Sequence, residues 1–259
     1  MDLADREWRI VPEQCRTGAM NMAFDIAAAE TAADGGPRTI RLYRWEPSTL
    51  SLGYRQSAET VDWTYCHDHA IDVTRRPTGG GGIYHDAYGD ISYSIVAPSD
   101  DLPGDLMATY ELLLKPVFMA LEGMGVPAGL AETAQPALHE PACYLREINP
   151  AHDVVAKGRK LAGNAQYRRR DAVIQHGSIT YSRSVDHHLG VFADPGVRPE
   201  RFRDRVTSIR DQAGIDRDTA IRAIVAAFRN WVDPVEGDWT DDERTRAREL
   251  AANKFRDAD

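Results

Sequence analysis

The residues best suited to chemistry in this sequence surround a run of four glycines, Gly79–Gly82. Two arginines, Arg75 and Arg76, precede the run, and Tyr84 and His85 follow it. Glycine lets backbone N–H groups approach a ligand where a Cβ would clash, and arginine adds a fixed positive charge. This combination suits a carboxylate, a phosphate or an oxyanion that develops during a reaction. The candidate binding residues are Arg75, Arg76, Gly79, Gly80, Gly81, Gly82, Tyr84 and His85.

The glycine run also has a simpler interpretation as a long hairpin turn, because such runs occur in plain loops. A P-loop is excluded, because no Gly-Lys-Ser/Thr follows the glycines. The dinucleotide fingerprint fits poorly, because the alternation in Ile91–Val96 predicts that a strand and not a helix comes next. We therefore expect a strand, a flexible loop at a sheet edge, and a second strand.

A second polar cluster extends from Lys157 to Ser178. Its Gly158-Arg159-Lys160 segment predicts a turn between two short strands, and a lysine on such a turn can reach a substrate carbonyl or phosphate as a mobile point charge. An ordinary turn lysine is the alternative for Lys160, and a structural histidine with satisfied hydrogen bonds is the alternative for His176. The candidates beside Lys160 are Gly163, Asn164, Ala165, Gln166, His176 and Gly177.

Cys143 is a candidate nucleophile in the irregular segment HEPACYLRE. His139 precedes it by four residues and Arg146 follows it by three, and positive groups beside a thiol favour the reactive thiolate. The alternative is a small buried hydrophobic residue, which is the commoner state of a free cysteine. We expect that state for Cys15 and Cys66, whose surroundings carry no comparable groups.

Composition and charge exclude several classes of protein. The net charge of −9 argues against a general nucleic-acid-binding protein, which needs a basic face. No run approaches the roughly 20 apolar residues that span a bilayer, and the N-terminal MDLADREWRI has no apolar signal core. We therefore expect neither a membrane protein nor an exported one. Three cysteines without a CxxC pair predict free thiols and a cytoplasmic location, and no metal site is predicted.

Periodicity and turn signals predict one α+β domain over residues 1–259, in which 185–259 form a helical C-terminal portion packed on the rest. The segment Ala131–Pro150 has no clear period and three prolines, which predicts a loop, and loops of this length are usually functional or disordered. The predicted helices are Thr17–Ala33, Asp62–Ala70, Pro103–Met124, Asp218–Trp231 and Asp241–Asp257. The predicted strands are Ile71–Arg76, Ile91–Val96, Asp153–Val155, Ala172–Tyr181, and a pair, Thr39–Trp45 and Thr49–Tyr54, joined at Glu46-Pro47-Ser48.

Two separated motifs, in the same order, resemble those of the lipoate–protein ligase A family. RRPTGGGGIYHD followed by GDISYSIV is similar to the family's lipoate-binding loop, and GRKLAGNAQYRR followed by VIQHGS is similar to its catalytic-lysine segment. The similarity extends from the helix at Met20–Asp25 through YRWEPSTLSLGY to ARELAANKF near the C-terminus. Related biotin ligases carry a GRGR-type loop, and another octanoyltransferase branch carries an RGG…HGPG pattern. Neither pattern occurs in this sequence.

The resemblance implies an α+β fold with a mixed, mainly antiparallel sheet flanked by helices. It also implies that an acyl chain, lipoyl or octanoyl, is attached by an amide bond to a lysine of a lipoyl domain. Carried over by motif, Arg75, Arg76 and the four glycines would line the acyl and carboxyl end, with His85 near the reacting carbonyl. Lys160 would hold the acyl carbonyl or an adenylate phosphate. Gly82 stands where alanine is frequent in the family, which is expected to alter the pocket width slightly.

Cys143 decides between the branches of the family. PACY resembles the PACF element of the cysteine-dependent octanoyltransferases and lipoyl amidotransferases, whose cysteine takes the acyl group as a thioester and passes it to a lysine amine. The leading hypothesis is therefore an acyltransferase that uses Cys143 and Lys160 and needs no cofactor. The second is a lipoate–protein ligase that uses ATP and Mg²⁺ with a separate accessory subunit. The third is a non-catalytic protein that binds acyl groups or lipoyl domains.

The resemblance also implies the partners. They are lipoyl-domain proteins of the 2-oxoacid dehydrogenase E2 or glycine cleavage H protein type, acyl-carrier protein as a candidate donor, and lipoate or octanoate.

Overall fold

The computed structural model of the chain describes residues 3–150, 152–169, 171–194 and 196–255, and within them the strands form two sheets. The strands of the larger sheet are β1 (Trp8–Arg16), β2 (Arg38–Trp45), β6 (Asp90–Pro98), β7 (Ala128–Leu130), β8 (Val154–Ala156), β9 (Arg159–Arg168), β10 (Ala172–Thr180) and β11 (Val235–Glu236). The smaller sheet contains β3 (Thr49–Leu52), β4 (Asp72–Arg75) and β5 (Ile83–His85).

The larger sheet is mixed and mainly antiparallel. Its strand order is β11-β1-β2-β6-β10-β9-β8-β7, and only the β1–β11 and β1–β2 pairs of this order are parallel in the described residues. The two central strands, β6 and β10, run antiparallel over nine paired residues, with His176 opposite Ser94 and Ser178 opposite Ser92. The predicted fold class, α+β with a mixed, mainly antiparallel sheet and flanking helices, is confirmed.

The smaller sheet has the order β4-β3-β5. The prediction that Thr39–Trp45 and Thr49–Tyr54 form a strand pair is wrong, because β2 and β3 belong to different sheets. The Glu46-Pro47-Ser48 connection carries the chain from one sheet to the other. As a result β5 pairs with β3, and the glycine run between β4 and β5 stands beside the larger sheet.

Six of the eight helices in the described residues begin at a residue whose side chain caps the helix. Thr17 accepts a hydrogen bond from the Met20 N–H at the start of the first helix, and Asp105 accepts one from the Ala108 N–H at the start of the longest. The latter helix therefore begins at Leu106 and not at Pro103. The helices are α1 (Gly18–Ala33), α2 (Trp63–Asp68), α3 (Leu106–Gly123), α4 (Val185–Gly190), α5 (Pro199–Arg205), α6 (Ile209–Ala213), α7 (Arg217–Val232) and α8 (Asp241–Asn253).

The helices cover both faces of the larger sheet. On one face α3 and α7 contact each other, and residues such as Leu113, Leu114 and Phe228 form a core with the sheet. On the other face α1 and α8 contact each other, and Phe24 stacks on Trp239 with ring centroids 4.4 Å apart. A third cluster joins the smaller sheet to α4, α5 and the segment around Cys143.

Five strands differ from the sequence prediction, and two of them, β5 and β7, have only three residues each. The strand β1 is not predicted, because Pro12 and a register shift between Val11 and Gln14 break its alternation. The strand β9 has ten residues. It is not predicted from the sequence, because its small residues give no period-2 pattern. The strand β11 has only two residues and therefore carries no periodic signal. The predicted end of the last helix at Asp257 lies outside the described residues.

The three cysteines are free thiols, as predicted, and one of the two that were expected to be buried is exposed. Cys66 is buried, which confirms the prediction, and burial raises its pKa to about 11. The prediction for Cys15 is wrong, because this residue is exposed and its Sγ lies 3.1 Å from Glu46 Oε2. Cys143 is half-buried, at the start of a 3₁₀ turn, Cys143–Leu145, that interrupts the predicted 131–150 loop.

Among the described residues, no helix combines the length and the apolar character needed to cross a bilayer.

Candidate active site

A cavity of about 400 Å³, here called the main cavity, is lined by residues of both sheets and of the segments between them. The sequence-predicted site residues that line it are Arg76, Gly79, Gly80, Gly81, His85, Cys143, Lys160, Gly163, Asn164, Ala165, Gln166, His176 and Gly177. Three others, Arg75, Gly82 and Tyr84, are not among its lining residues.

The sulfur of Cys143 is positioned by backbone pairing between two segments that are far apart in the sequence. Gly82 N–H donates to the Pro141 carbonyl at 2.6 Å, and Cys143 N–H donates to the Gly82 carbonyl at 2.8 Å. These two bonds form a parallel bridge between Gly82 and Ala142. We call Gly79–Gly82 the glycine segment and Pro141–Leu145 the cysteine turn. The bridge fixes the position of one relative to the other.

Lys160 is the basic group nearest to the thiol in the contacts of the described residues. Its Nζ lies 4.0 Å from Cys143 Sγ and donates to the Cys143 carbonyl at 3.0 Å. The same Nζ forms a 2.9 Å salt bridge with Asp153, and both side chains are buried. The prediction that Lys160 lies on a turn is wrong, because the turn is at Lys157–Gly158 and Lys160 belongs to β9.

The prediction that His139 lies next to the thiol and favours the thiolate is wrong. The His139 ring packs edge-on against Phe192 with centroids 5.7 Å apart, and it does not line the main cavity. Burial lowers its pKa, which favours the neutral imidazole. Arg146 does line the cavity, and its guanidinium pairs with Glu140 at 3.3 Å. Lys160 and not His139 therefore supplies the positive charge next to the sulfur.

Gly163 leaves open space around the sulfur. A Cβ at this position would lie 3.2 Å from Cys143 Sγ and 3.9 Å from Lys160 Cε. Because Gly163 is on β9, three residues after Lys160, the same strand carries the ammonium group and the gap beside the thiol. A ligand atom can therefore approach the sulfur next to the Lys160 side chain.

The glycine segment is shaped from within by Arg76. Its guanidinium is buried and donates to the carbonyls of Gly79 and Gly81, both at 2.7 Å, to the Ser51 carbonyl at 2.8 Å, and to Thr78 Oγ1 at 3.1 Å. Burial lowers the pKa of Arg76 to about 10, and the nearby Cys143 sulfur acts in the opposite direction. Arg76 thus brings a positive charge to the cavity wall while its donors hold the backbone.

Arg75 acts on a different part of the backbone. Its guanidinium donates to the carbonyls of Gly53 at 2.9 Å and Gln56 at 2.7 Å. These bonds fix the turn that follows β3. Tyr84 also points away from the cavity, because its ring packs against His187 and His188. Neither position contributes a lining group in the described structure.

His176 links the glycine segment to a buried ion pair. One ring nitrogen lies 2.8 Å from Thr78 Oγ1 and the other lies 3.3 Å from Asp25 Oδ2. Asp25 also pairs with Arg41 at 2.8 Å. Burial raises the pKa of Asp25, but Arg41 and His176 outweigh burial, so the pKa is lowered overall. Both nitrogens of His176 have partners, which agrees with the structural alternative considered for this residue.

His85 belongs to a second buried network. Its Nε2 lies 2.9 Å from Ser51 Oγ, its Nδ1 lies 3.1 Å from Asp90, and its ring stacks on Trp45 at 3.9 Å between centroids. Burial lowers the pKa of His85 although Asp90 favours its protonation. Ser178 Oγ connects Asp90 to the hydroxyl of Tyr144 in the cysteine turn. The network therefore ties β5, β6 and β10 to the turn that carries Cys143.

Asn164 and Gln166 shape the β9 side of the cavity. Asn164 accepts a hydrogen bond from Tyr93 at 2.8 Å and donates to the His152 carbonyl at 2.9 Å, while Gln166 donates to Gln175 at 2.8 Å. Both side chains are thus held by internal partners. Between them, Ala165 adds only a methyl group to the lining.

Gly82 does not control the width of the cavity, in contrast to the expectation from the sequence. A Cβ at Gly82 would lie 3.0 Å from Phe192 Cε1 and 3.2 Å from Leu50 Cδ1. Both atoms belong to the core of the smaller sheet. A methyl group here would therefore press on that core instead of narrowing the cavity.

Several residues of the site are missed by the sequence reasoning. Asp153 is counted only as the start of a strand, although it lies just before the β8–β9 hairpin that also carries Lys160. An antiparallel hairpin brings Asp153 and Lys160 together, so their ion pair could have been predicted from the two predicted strands. Asp25 gives no such signal, because its partners Arg41, Ser94 and His176 are distant in the sequence, whereas Asp90 lies only five residues after its partner His85. The other missed lining residues are Met22, Tyr43, Trp45, Ser51, Ile83, Ser92, Tyr110, Glu147, Asn149, His152 and Ser178.

Over the ranges that the structure describes, no three His, Cys, Asp or Glu side chains are grouped as a metal-ligand set.

The comparison with protein families matches the model of the lipoyl protein ligase A/B catalytic domain to residues 17–229. The chain belongs to this family. The matched range includes the glycine segment, the cysteine turn and β9, so it contains the whole candidate site. The predicted membership of the lipoate–protein ligase A family, and with it the prediction of an enzyme of this family, is confirmed.

Curated members of the lipoyl protein ligase family resemble the chain over nearly its full length. The protein named Octanoyltransferase LipM of Carboxydothermus hydrogenoformans is 31% identical over 264 residues, covering 96% of each chain. The protein of the same name from Kyrpidia tusciae is 30% identical over 267 residues, covering 96% of this chain and 97% of its own.

Solved structures of family members have the same fold. A bi-partite lipoate protein ligase from Thermoplasma acidophilum, described with its E2 lipoyl domain, superimposes with a TM-score of 0.80 and 25% identity, covering 96% of this chain and 93% of the other. A lipoate-protein ligase A bound with ATP superimposes with a TM-score of 0.77 and 27% identity, covering 96% and 95%.

The close contact between the glycine segment and the cysteine turn predicts different effects of alanine at two neighbouring glycines. A Cβ on Gly81 would lie 2.8 Å from the Pro141 carbonyl oxygen and 2.9 Å from Cys143 N, whereas a Cβ on Gly79 would meet nothing within 4 Å. We expect Gly81→Ala to lower the free energy of unfolding by about 1–3 kcal/mol, because backbone atoms must move. Denaturant titration measures this, with Gly79→Ala as the matched control. Equal losses in the two variants would contradict the assigned contact.

Proposed function

We propose that this chain is an acyltransferase of protein lipoylation, which moves an octanoyl or lipoyl group through a thioester on Cys143 to a lysine of a lipoyl domain. The observation that carries the proposal is the placement of Cys143 Sγ 4.0 Å from Lys160 Nζ, beside the open space at Gly163, on the wall of the main cavity. The similarity to proteins named Octanoyltransferase LipM supports the same reaction class.

The first half of the reaction transfers the acyl group to the enzyme. The Lys160 ammonium stabilises the Cys143 thiolate, which attacks the carbonyl carbon of a donor thioester. A bond forms between Sγ and that carbon, and the bond between the carbon and the donor sulfur breaks. The proton lost by Cys143 ends on the departing donor thiol. One thioester replaces another, so the step is near-balanced in free energy and needs no ATP.

The second half transfers the acyl group to the acceptor. The neutral amine of the acceptor lysine attacks the Cys143 thioester, a carbon–nitrogen bond forms, and the carbon–Sγ bond breaks. The proton released from the amine ends on Sγ, which restores the free thiol. Acyl transfer in two steps replaces one difficult transfer by two easier ones.

Both half-reactions pass through an oxyanion on the acyl carbonyl. Two sets of groups are placed to stabilise it: Lys160 Nζ, and the N–H groups of Gly79, Gly80 and Gly81. These three glycines line the cavity, and their N–H groups form no internal hydrogen bond in the part of the chain that the structure describes. Preorganised donors of this kind stabilise developing charge without reorganising during the reaction.

Asp153 acts on Lys160 in this mechanism. Placing an ammonium group in a buried site costs several kcal/mol unless a counter-charge accompanies it. Asp153, at 2.9 Å, supplies that charge and leaves Lys160 positive beside the sulfur. The carbonyl of Cys143, 3.0 Å from Nζ, fixes the direction in which the ammonium group points.

The main cavity has the size and lining for a medium-length acyl chain. Its volume of about 400 Å³ falls within the usual range for small-molecule sites. Apolar surface comes from Met22, Tyr43, Trp45, Ile83 and Tyr110. The reacting carbonyl would lie at Cys143, Lys160 and the glycine segment, and further polar side chains such as Asn164 and His176 also line the cavity.

We further propose that the transferase needs no cofactor, that its acceptors are lipoyl-domain proteins, and that it acts in the cytoplasm. The acceptor class is supported by the similar fold of the Thermoplasma acidophilum ligase described with its E2 lipoyl domain. A second candidate function is a lipoate–protein ligase that uses ATP and Mg²⁺ with an accessory subunit. The observation that favours it is the fold shared with the ligase A bound with ATP.

Intact-mass spectrometry after mixing the protein with octanoyl-carrier protein tests the proposal. We expect the chain to gain one octanoyl group that hydroxylamine removes, because a thioester is cleaved by this reagent. The variant Cys143→Ser should gain no hydroxylamine-sensitive group, whereas Cys66→Ser, which changes a buried thiol outside the cavity, should be acylated like the wild type. Pyrophosphate release from lipoate and ATP that is undiminished in Cys143→Ala would instead support the ligase.

Lys160 should be required for acylation in a way that a neighbouring lysine is not. Removing the ammonium group beside the sulfur in Lys160→Ala is expected to slow Cys143 acylation by about 100-fold or more, a size typical of positioned acid–base and electrostatic groups. The matched control is Lys157→Ala, which changes an exposed lysine in the adjoining turn. Circular dichroism checks the fold of both variants. A Lys160→Ala protein that is folded and retains most of the wild-type rate would remove Lys160 from the mechanism.

A further inference from the structure

The amino group of Lys160 lies beside the sulfur that carries the acyl group in the proposed function. Its Nζ is 4.0 Å from Cys143 Sγ, and the carbonyl carbon of a thioester would be bonded directly to that sulfur. The carbon can therefore come within the roughly 3–3.5 Å that separates reacting atoms in a near-attack geometry. Lys160 is thus a second amine that the thioester could acylate, in addition to the lysine of the acceptor.

Lys160 and the acceptor lysine carry the same functional group, but only Lys160 is always next to the sulfur. An amine held beside its target has an effective concentration that can reach about 10⁵ M or more, far above that of an acceptor in solution. An amide is also more stable than a thioester, so a transfer to Lys160 would not reverse. It would leave an enzyme in which Lys160 has lost its positive charge.

We propose that Asp153 prevents this self-acylation by keeping Lys160 protonated, and that Lys160 is a latent site of N-acylation that becomes modified when the Asp153 carboxylate is removed. This inference rests on the proposed function, because it requires an acyl thioester on Cys143. It adds a side reaction of the same site and the residue that suppresses it.

The suppressed reaction is an acyl shift from sulfur to nitrogen. A neutral Lys160 amine attacks the carbonyl carbon of the Cys143 thioester, a carbon–nitrogen bond forms, and the carbon–Sγ bond breaks. The proton released by the amine ends on Sγ, so the products are an amide on Lys160 and a free thiol on Cys143. An ammonium group has no lone pair and cannot take the first step.

The contacts of Nζ show how one proton controls this shift. Nζ forms a salt bridge with Asp153 at 2.9 Å and donates to the Cys143 carbonyl at 3.0 Å. A protonated lysine has three N–H groups, so one remains for the sulfur at 4.0 Å. A neutral amine has only two. If it kept the bonds to Asp153 and to the carbonyl, its lone pair would replace the third N–H and face the thioester.

Asp153 is held where it supplies the counter-charge. Its Oδ2 accepts a hydrogen bond from Asn149 N–H at 2.9 Å, and its own N–H donates to the Asn149 carbonyl at 3.0 Å. The side chains of Lys160 and Asp153 are only 3% and 5% exposed, so solvent screens their attraction weakly. A buried ammonium group without a counter-charge gives up its proton instead of staying charged. The carboxylate therefore keeps Lys160 from acting as a nucleophile.

Peptide mapping by mass spectrometry tests the inference after the protein is loaded with excess octanoyl-carrier protein in the absence of an acceptor. Hydroxylamine then removes thioesters and leaves amides intact. In Asp153→Asn we expect the share of octanoyl groups bound to Lys160 as an amide to exceed that of the wild type by about tenfold or more. Loss of a nearby opposite charge changes a protonation equilibrium by about tenfold to a thousandfold. Because the readout is a share of all acyl groups, slower loading of the variant does not affect it.

Two further variants serve as controls. Asp101→Asn removes a carboxylate that is also 5% exposed and that pairs with Arg6 at 3.0 Å outside the main cavity, so it should behave like the wild type. The double variant with Asp153→Asn and Cys143→Ala should carry no amide on Lys160, because the acyl group reaches Lys160 through the thioester. Circular dichroism checks the folding of each variant. Asp153→Ser, which also lacks the carboxylate, replaces Asp153→Asn if the latter does not fold.

Three results would count against the inference. An Asp153→Asn protein whose acyl groups are all removed by hydroxylamine would overturn it and leave the acyltransferase proposal intact. An amide on Lys160 that forms equally in the wild type, or that still forms without Cys143, would overturn it as well. Failure of wild-type Cys143 to gain an octanoyl group would overturn the proposed function and the inference together.

Discussion

The short backbone bridge between Gly82 and Ala142 is the constraint on which the candidate site depends. Two hydrogen bonds, of 2.6 and 2.8 Å, attach the cysteine turn to the glycine segment. Other bonds, from Lys160 Nζ to the Cys143 carbonyl and from the Tyr144 hydroxyl to Ser178, hold the same turn against the larger sheet. With them, Cys143 is placed against β9, where Lys160 and Gly163 approach the sulfur. The close approach also explains why a side chain at Gly81 would clash with the cysteine turn.

Buried charges support this arrangement from several directions, and each has a partner. Lys160 pairs with Asp153, and Arg41 pairs with Asp25. Arg76 has carbonyl and hydroxyl acceptors in place of a carboxylate, so its positive charge is not cancelled at the cavity wall. An unpartnered charge in these positions would be strongly destabilising. The site is therefore preorganised, and its charges are set before any substrate arrives.

Much of the site could be predicted from the sequence, because its motifs are local. The glycine run, Lys160 and Cys143 each lie in a short segment whose residue types indicate a role, and the structure brings these segments to one cavity. The misses have physical causes. Local periodicity carries no information on pairing between distant segments. For this reason two predictions were wrong: that β2 and β3 pair with each other, and that His139 lies next to the thiol. The strand β9 was misread because small residues that make room for a ligand erase the alternation that identifies a strand.

The sequence predicts where the motifs lie better than it predicts the direction of each side chain within them. Arg75 and Tyr84 lie within the same motif as Arg76 and His85, yet they point to other parts of the molecule. Alternation along a strand sends neighbouring residues to opposite faces, and the sequence does not say which face meets the cavity. Asp153 shows the reverse case, in which a residue without a motif becomes the counter-charge of Lys160 because a hairpin folds it there.

A crystal structure of the protein with an octanoyl group trapped on Cys143 tests the central claim most directly. The account predicts that the alkyl chain fills the main cavity between Trp45 and Tyr110, with the thioester oxygen within hydrogen-bond distance of Lys160 Nζ or of an N–H group of Gly79–Gly81. An acyl chain that lies outside this cavity, or a thioester oxygen that contacts neither Lys160 nor the glycine segment, would contradict it.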